Sequence, residues 1–330
     1  MRQIFLLLIF FSITAYSCKN DPQNQTNNIP SDVAELNKLI DKSPDNASLL
    51  FARGKYFYDN SDYDKSIEDL KKAIEIDSMK PEYYHLLSDA YMDSAKSRFA
   101  IQTMKELVYK YPERIPSLLK LAELFFIVKE YDNSISTINS ILYLSPGNPD
   151  AYFLLGVNFK EMGKLKEARN SLQTSVENNP EDIDAWLQLG QVAELQKDSM
   201  ALTFYNNALL LDSTSIEALH HIAFYYQNNG DITKALETYR EMSIKNPDYP
   251  SSYLNAGLLY MNMDSLKQAY DNFNILVNID RANPKAYYYR GYVNYLIGNK
   301  DNSKEDFEQA LKIAPDFTEA KEMLEKLDKR

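Results

Sequence analysis

The sequence has one cysteine, nine glycines and three histidines among its 330 residues. A single thiol can form neither an intramolecular disulfide nor a cluster of thiolates around a metal ion. A disulfide scaffold and a cysteine-rich zinc module are therefore excluded. The scarcity of glycine, with thirteen prolines and 45% hydrophobic residues, indicates that most of the chain folds around a packed core.

Basic clusters and catalytic motifs are also missing. The formal net charge is −11, and lysine and arginine form no long run. Because binding to a phosphate backbone depends on clustered basic residues, we expect no nucleic-acid partner. The sequence has no glycine-rich phosphate loop and no serine nucleophile elbow, and its carboxylates are scattered. We therefore expect no enzymatic activity and no cofactor.

The histidines give little support for a metal site. Glu217 and His221 lie one helical turn apart in EALHH, a spacing that suits two metal ligands, but two ligands do not make a site. The neighbours His220 and His221 point about 100° apart on a helix, so they cannot easily share one ion. We expect no bound metal and interpret His221 as an ordinary residue of a helix face.

The first residues have the pattern of an export signal. Arg2 gives a positive start, Ile4 to Ile13 is nearly all apolar, and small residues around one tyrosine end the run. This pattern predicts a secretory signal peptide over residues 1–17. A transmembrane helix would need about 20 apolar residues, which is more than this run provides.

The only cysteine, Cys18, directly follows this signal. The segment TAYSC resembles the signal of bacterial lipoproteins, in which small residues precede a cysteine that is acylated and becomes the new N-terminus; Tyr16 departs from the strictest form. The resemblance implies lipidation of Cys18 and attachment to a membrane of the cell envelope, with the outer membrane favoured. The polar residues 18–30 are predicted to form a disordered tether. The alternative is an ordinary signal peptide with an incidental thiol.

The rest of the chain repeats with a period of 34 residues. Pro112, Pro146 and Pro180 are spaced by this period, and the fifth repeat is one residue short near the segment KDSM. Counting from Ala47 gives eight repeats, which cover residues 47–80, 81–114, 115–148, 149–182, 183–215, 216–249, 250–283 and 284–317.

Each repeat carries the same arrangement of large and small residues. In the fourth repeat Tyr152 is followed four residues later by Gly156, and Ala168 is followed four residues later by Leu172. Small residues at these positions allow two helices to approach closely. A helix pair of this kind leaves an apolar face uncovered, so the repeats are predicted to stack on one another.

The segment YFLLGVNFKEMGKLKEARNSLQTSVENNP, from Tyr152 to Pro180, shows the pattern most fully and resembles the tetratricopeptide repeat family. The resemblance implies an all-α fold, a right-handed superhelical solenoid of antiparallel helix pairs. Residues 31–46 are predicted to form a leading helix and residues 318–330 a C-terminal capping helix.

In this family the first helix of each repeat lines the inner surface, which implies a protein-binding groove. The groove residues expected from the resemblance are Tyr288, Tyr292 and Tyr295, Leu254, Leu258 and Met261, His220 and Phe224, and Phe153 and Val157. Nearer the amino end the same positions hold Lys55, Asp89 and Glu123. The alternative is that the aromatic rings mainly pack between neighbouring helices.

The function expected from these features is that of a membrane-anchored scaffold or adaptor, which binds a protein or peptide segment in its groove. Two alternatives stay open. The chain could be an accessory subunit that recruits or positions an envelope enzyme for cell-wall or polysaccharide processing. It could also be a structural part of an outer-membrane or secretion assembly.

Overall fold

A computed structural model describes residues 32–328. Over this range the chain forms eighteen helices and no strand, which confirms the all-α prediction. The predicted signal peptide, Cys18 and the tether lie outside the described residues. The helices belong to two compact units, which meet in the chain between Thr103 and Met104.

The two compact units are built from the same kind of helix pair. The first contains α1 (Val33–Lys42), α2 (Ala47–Asp59), α3 (Tyr63–Ile76), α4 (Pro81–Asp93) and the start of α5 (Ser97–Lys110). The second contains the rest of α5, α6 (Ile115–Ile127), α7 (Tyr131–Leu144), α8 (Pro149–Glu161), α9 (Leu165–Asn178), α10 (Ile183–Leu195), α11 (Ala201–Leu211), α12 (Ile216–Asn228), α13 (Ile232–Lys245), α14 (Pro250–Asn262), α15 (Leu266–Ile279), α16 (Pro284–Leu296), α17 (Lys300–Ile313) and α18 (Thr318–Asp328). Helices α2 to α17 form eight pairs within the described range, and α1 and α18 flank them.

The first helix of each pair begins where the sequence supplies a capping side chain or a proline. Asn148 Oδ1 accepts a hydrogen bond from the Ala151 amide at 2.8 Å, and Pro149 follows it as the first residue of α8. Asp182 accepts in the same way from the Ala185 amide at the start of α10. These contacts satisfy amides that have no partner within the helix, and proline loses nothing there because its missing N–H would be unpaired.

The turn inside each pair needs one residue in the left-handed conformation. These residues, one in each of the eight pairs, are Ser61, Ala95, Lys129, Gly163, Lys197, Gly230, Asp264 and Gly298. The next amide then bonds back into the first helix, as Glu130 does to the Phe125 carbonyl at 2.8 Å. Glycine is the residue that this kind of helix ending favours, yet five of the eight turns have another residue at the left-handed position.

Close approach of the two helices in a pair depends on small residues. A Cβ atom on Gly190 of α10 would lie 2.3 Å from the ring of Tyr205 on α11. A Cβ atom on Gly156 would lie 2.5 Å from the side chain of Leu172. Tyr205 and Leu172 are fully buried, so neither can move aside. The small and large residues of the repeat are therefore the two sides of one contact.

The fifth repeat differs from the others at its turn. Its second helix, α11, has 11 residues, whereas α9 and α13 on either side have 14. Arg169 of α9 forms an ion pair with Asp198 in this turn and also donates to Gln196 at 3.1 Å. The missing residue shortens a helix, and the stack continues through contacts of α11 with α10 and α12.

The first and the last helix pair each contain a buried ionic cluster of the same kind. Arg290 of α16 contacts Asp306 of α17 at 2.6 Å and donates to Asn274 of α15 at 2.8 Å. Arg53 of α2 makes the same contacts with Asp69 of α3 and Asn37 of α1 in the first compact unit. Each arginine thus joins three helices. The matching role of Asn37 shows that α1 occupies the place of a second helix.

We expect the left-handed turns to respond in opposite directions to glycine and alanine. Gly163→Ala should lower the free energy of unfolding by about 1 kcal/mol, because a Cβ atom disfavours the left-handed conformation. No atom lies within 4 Å of that added Cβ, so the effect isolates the backbone. Lys129→Gly should raise the stability. Urea denaturation followed by circular dichroism measures both changes, and equal shifts in the same direction would contradict this account.

We expect Asp306→Ala to destabilise the last pair strongly. It leaves the guanidinium of Arg290 half-buried without its carboxylate, a loss of about 3 kcal/mol for such pairs. Amide hydrogen exchange should accelerate in α16 and α17. Glu241→Ala is the matched control, because it removes an ion pair with Lys245 that lies at the surface. If both variants lost the same stability, the buried cluster would not be what holds these helices together.

Candidate functional site

The candidate site lies on the first helices α12, α14 and α16, all within the second compact unit. Their fifth, ninth and twelfth residues make up what we call the first-helix face. It consists of His220, Phe224 and Gln227 on α12, Leu254, Leu258 and Met261 on α14, and Tyr288, Tyr292 and Tyr295 on α16. Phe224 is 44% exposed and the other eight side chains are half-buried. The face therefore combines packing contacts with accessible apolar surface.

The three tyrosines of α16 form a row along the helix. The ring centroids of Tyr288 and Tyr292 are 6.2 Å apart and those of Tyr292 and Tyr295 are 6.4 Å apart, both in stacked arrangements. Residues separated by four and three positions share one side of a helix, which places the rings in register. The stacking restricts the rotation of each ring, so the row is held in place before any ligand binds.

One end of the row packs against the carboxyl-terminal part of the chain. The Tyr288 ring lies 5.8 Å from that of Phe307 and 5.2 Å from that of Phe317. Burial raises the pKa of the Tyr288 hydroxyl, and negative charges, including those of Glu319 and Glu322 on α18, add to the shift. The tyrosine rings thus pack on the core and keep an accessible side.

The hydroxyl groups are the polar part of the row. Among residues 32–328, no hydrogen bond involves the hydroxyl of Tyr288, Tyr292 or Tyr295. None of these oxygen atoms belongs to the buried unsatisfied polar groups of that range. The three hydroxyls are therefore at least partly accessible to solvent and can donate to a ligand.

The expected groove residues on α8 are less accessible. Val157 is only 7% exposed and packs in a core cluster with Leu118 and Leu154, so it does not lie on an open surface. The reason is that buried residues of α6 and α7, among them Ala122 and Ile138, pack in the same cluster as this side chain. Phe153 is half-buried and packs against core clusters on both sides of α8.

A polar network that the sequence analysis did not identify joins α8, α10 and α12. The Lys160 ammonium donates to the side-chain oxygens of Gln188 and Gln191, and Gln191 contacts His221 Nε2 at 3.2 Å. Burial lowers the pKa of Lys160. The sequence carried one signal of this network, because Lys160 and Gln191 occupy groove positions of successive repeats.

His221 belongs to the packing of the fifth and sixth repeats. Its ring stacks on Tyr205 at 5.0 Å, and burial lowers its pKa to about 4, with the positive charges of His220 and Lys160 contributing. The Glu217 carboxylate is 4.0 Å away. Across residues 32–328, no three His, Cys, Asp or Glu side chains are placed to hold a metal ion.

The charged residues expected toward the amino end lie on other first helices. In the first compact unit Lys55 forms an ion pair with Asp59 at 3.0 Å, and Asp89 is half-buried on α4. Glu123 lies on α6 in the second compact unit.

Of the helices between residues 32 and 328, none has the length and apolar composition needed to cross a bilayer.

Comparisons with known proteins agree with the repeat pattern. Residues 54–94 match a family model described as TPR repeat, and residues 153–199 and 284–317 match models described as tetratricopeptide repeat. A peroxisomal targeting signal receptor from Komagataella phaffii is 36% identical over 107 residues, which are 32% of this chain and 18% of the receptor. The receptor of the same description from Saccharomyces cerevisiae is 26% identical over 278 residues, which are 78% of this chain and 44% of the receptor.

The chain therefore spans less than half the length of either receptor. A solved structure, the C-terminal part of a TPR repeat-containing protein from Cytophaga hutchinsonii, superposes with a TM-score of 0.51. It is 18% identical, and the match covers 66% of this chain and 91% of that one, a likeness of fold alone. The chain therefore contains segments that match tetratricopeptide repeats, and the repeated pattern and the paired helices extend between these segments.

Proposed function

We propose that this protein is a membrane-anchored scaffold that binds a segment of a partner protein on its first-helix face. The observation that carries the proposal is the accessible apolar surface on three successive first helices, from Phe224 on α12 to the tyrosine row on α16. Apolar and aromatic patches of this kind on a folded chain mark interaction sites. Aromatic side chains also provide a large contact area and lose little rotamer entropy when they bind.

The comparisons support a protein ligand. Two of the similar proteins are receptors for a peroxisomal targeting signal. The match covers only part of each receptor, so recognition of another polypeptide comes to this chain as part of our proposal. We propose the same general activity here, with a partner of the cell envelope.

The membrane attachment in this proposal rests on the sequence around Cys18. The segment TAYSC ends the predicted export signal and precedes the predicted polar tether, the order found in bacterial lipoproteins. Two or more acyl chains anchor a protein firmly, because each buried methylene contributes about 0.8 kcal/mol. The outer membrane is the favoured site of attachment.

We expect Cys18→Ala to release the protein from membranes. The variant should appear in the soluble fraction of lysed cells, and metabolic labelling with a fatty-acid analogue should be lost, because no thiol is left to acylate. Immunoblotting of the membrane and soluble fractions measures the first effect. Ser17→Ala is the control, since it keeps the thiol. Unchanged labelling of the Cys18→Ala variant would rule out the lipoprotein assignment.

We expect the partner to contact the first-helix face. A photoreactive phenylalanine analogue at position 224 should crosslink a discrete protein in intact cells. The same analogue at Tyr143, which is 88% exposed on the second helix α7, should not. Phe224→Ala should weaken partner capture about thirty-fold, the effect of losing one hot-spot residue.

Circular dichroism should show unchanged helicity in the Phe224→Ala variant, because that side chain is the most exposed of the face. Equal crosslinking from both positions, or undiminished capture by the variant, would move the binding site to another surface.

A further inference from the structure

We infer that the tyrosine row of α16 binds a proline-rich segment that carries basic residues beside its prolines. This inference rests on the proposed function, since it names the chemistry of the partner at one part of the same face. It follows from three features of the row, which are its unpartnered hydroxyls (those with no hydrogen bond to residues 32–328), its apolar border and its acidic neighbours.

The unpartnered hydroxyls select a ligand with free acceptors. Three phenol groups in a row offer O–H donors toward solvent. A helical ligand uses its backbone carbonyls internally and presents few acceptors along its side. An extended ligand of ordinary residues has free carbonyls but also free amides, which need the hydroxyl oxygens or water as acceptors. Proline has no amide hydrogen, so a proline-rich segment presents carbonyl acceptors only.

The spacing of the row also fits this ligand. Tyr288 and Tyr292 are four residues apart, which is about 6 Å along a helix. Two residues of a polyproline II helix advance about 6.2 Å. The hydroxyls of Tyr288 and Tyr292 can therefore reach carbonyls two residues apart on one polyproline segment. This conformation is already extended in solution, so little entropy is lost when it binds.

The border of the row provides contacts for the pyrrolidine rings. Leu254, Leu258 and Met261 lie at the same helix positions in the preceding repeat and are half-buried, with part of each side chain accessible. Proline rings are apolar and pack on aromatic and aliphatic surfaces, as in other grooves that recognise polyproline. The row and this border thus offer donors and apolar surface side by side.

The acidic neighbours determine the charge beside the prolines. Glu319 and Glu322 are exposed on α18, and their charges act on the Tyr288 hydroxyl. Among residues 32–328, neither carboxylate forms an ion pair. A lysine or arginine next to the proline run would place a positive charge against them, which favours association and fixes the direction in which the segment lies.

The test uses the full-length protein in detergent and a fluorescein-labelled peptide of two lysines followed by about ten prolines, long enough for a stable polyproline II helix. Fluorescence anisotropy should show saturable binding. A peptide with two glutamates in place of the lysines should bind more weakly. An amphipathic helical peptide of leucine, alanine and lysine should bind weakly or not at all.

Conservative variants separate the hydroxyls from the rings. Tyr292→Phe and Tyr295→Phe keep the stacked rings and should each weaken binding of the lysine–proline peptide about five-fold, the contribution of one hydrogen bond. Tyr143→Phe removes an exposed hydroxyl on α7 and should change nothing. Glu319→Gln together with Glu322→Gln should abolish the preference for the lysine peptide over the glutamate peptide.

Three results would overturn the inference: no saturable binding of the proline peptide, equal or tighter binding of the helical peptide, or undiminished binding by both tyrosine variants. These results leave the crosslinking from position 224 untouched. If the analogue at position 224 crosslinks a protein although the proline peptide does not bind, the first-helix face binds a partner of another chemistry. If neither crosslinking nor peptide binding is seen, the proposed function fails together with the inference.

Discussion

The contact between a small residue on one helix and a large residue on the next is the constraint on which this protein depends. Gly190 leaves room for the Tyr205 ring, and Gly156 leaves room for Leu172, at distances that no Cβ atom could tolerate. This contact brings the two helices of a pair together. In α12 the small residue at this position, Ala223, is fully buried, and the next residue, Phe224, lies about 100° further round the helix and is 44% exposed. Neighbouring positions of one first helix thus supply both core and accessible apolar surface.

The fold could be predicted because the pattern occurs eight times, so that chance agreement at one position is corrected by the others. Two features could not be predicted this way. Lys129 and Ala95 adopt a conformation that their side chains disfavour, which only the tertiary contacts of the turn can impose. The cluster of Asn274, Arg290 and Asp306 joins residues 16 positions apart on three helices, a separation that no local pattern encodes.

The candidate site could be predicted less completely than the fold. Helix positions identify which residues share a side of a helix, and the tyrosine row lies as that geometry requires. They do not determine how far neighbouring helices cover each side chain, which is why Val157 is buried at a position equivalent to that of Phe224. The network of Lys160, Gln188 and Gln191 arises between helices, so its partners are distant in sequence.

The two ends of the chain should respond differently to mechanical force. A pull on α1, the helix that follows the expected tether, loads the hydrogen bond from Arg53 to Asn37, and Arg53 is also paired with Asp69. A pull on α18 loads the apolar contacts of Ala320 and Met323 with Phe307. The ion pair of Arg290 and Asp306 joins α16 to α17 and does not include α18. Hydrogen bonds and ion pairs act over a short distance, so they resist a force until the helices have moved slightly and then break. Apolar contacts separate one after another as the helix moves away. The terminal helix next to the tyrosine row is thus the element that yields first to a load on that end.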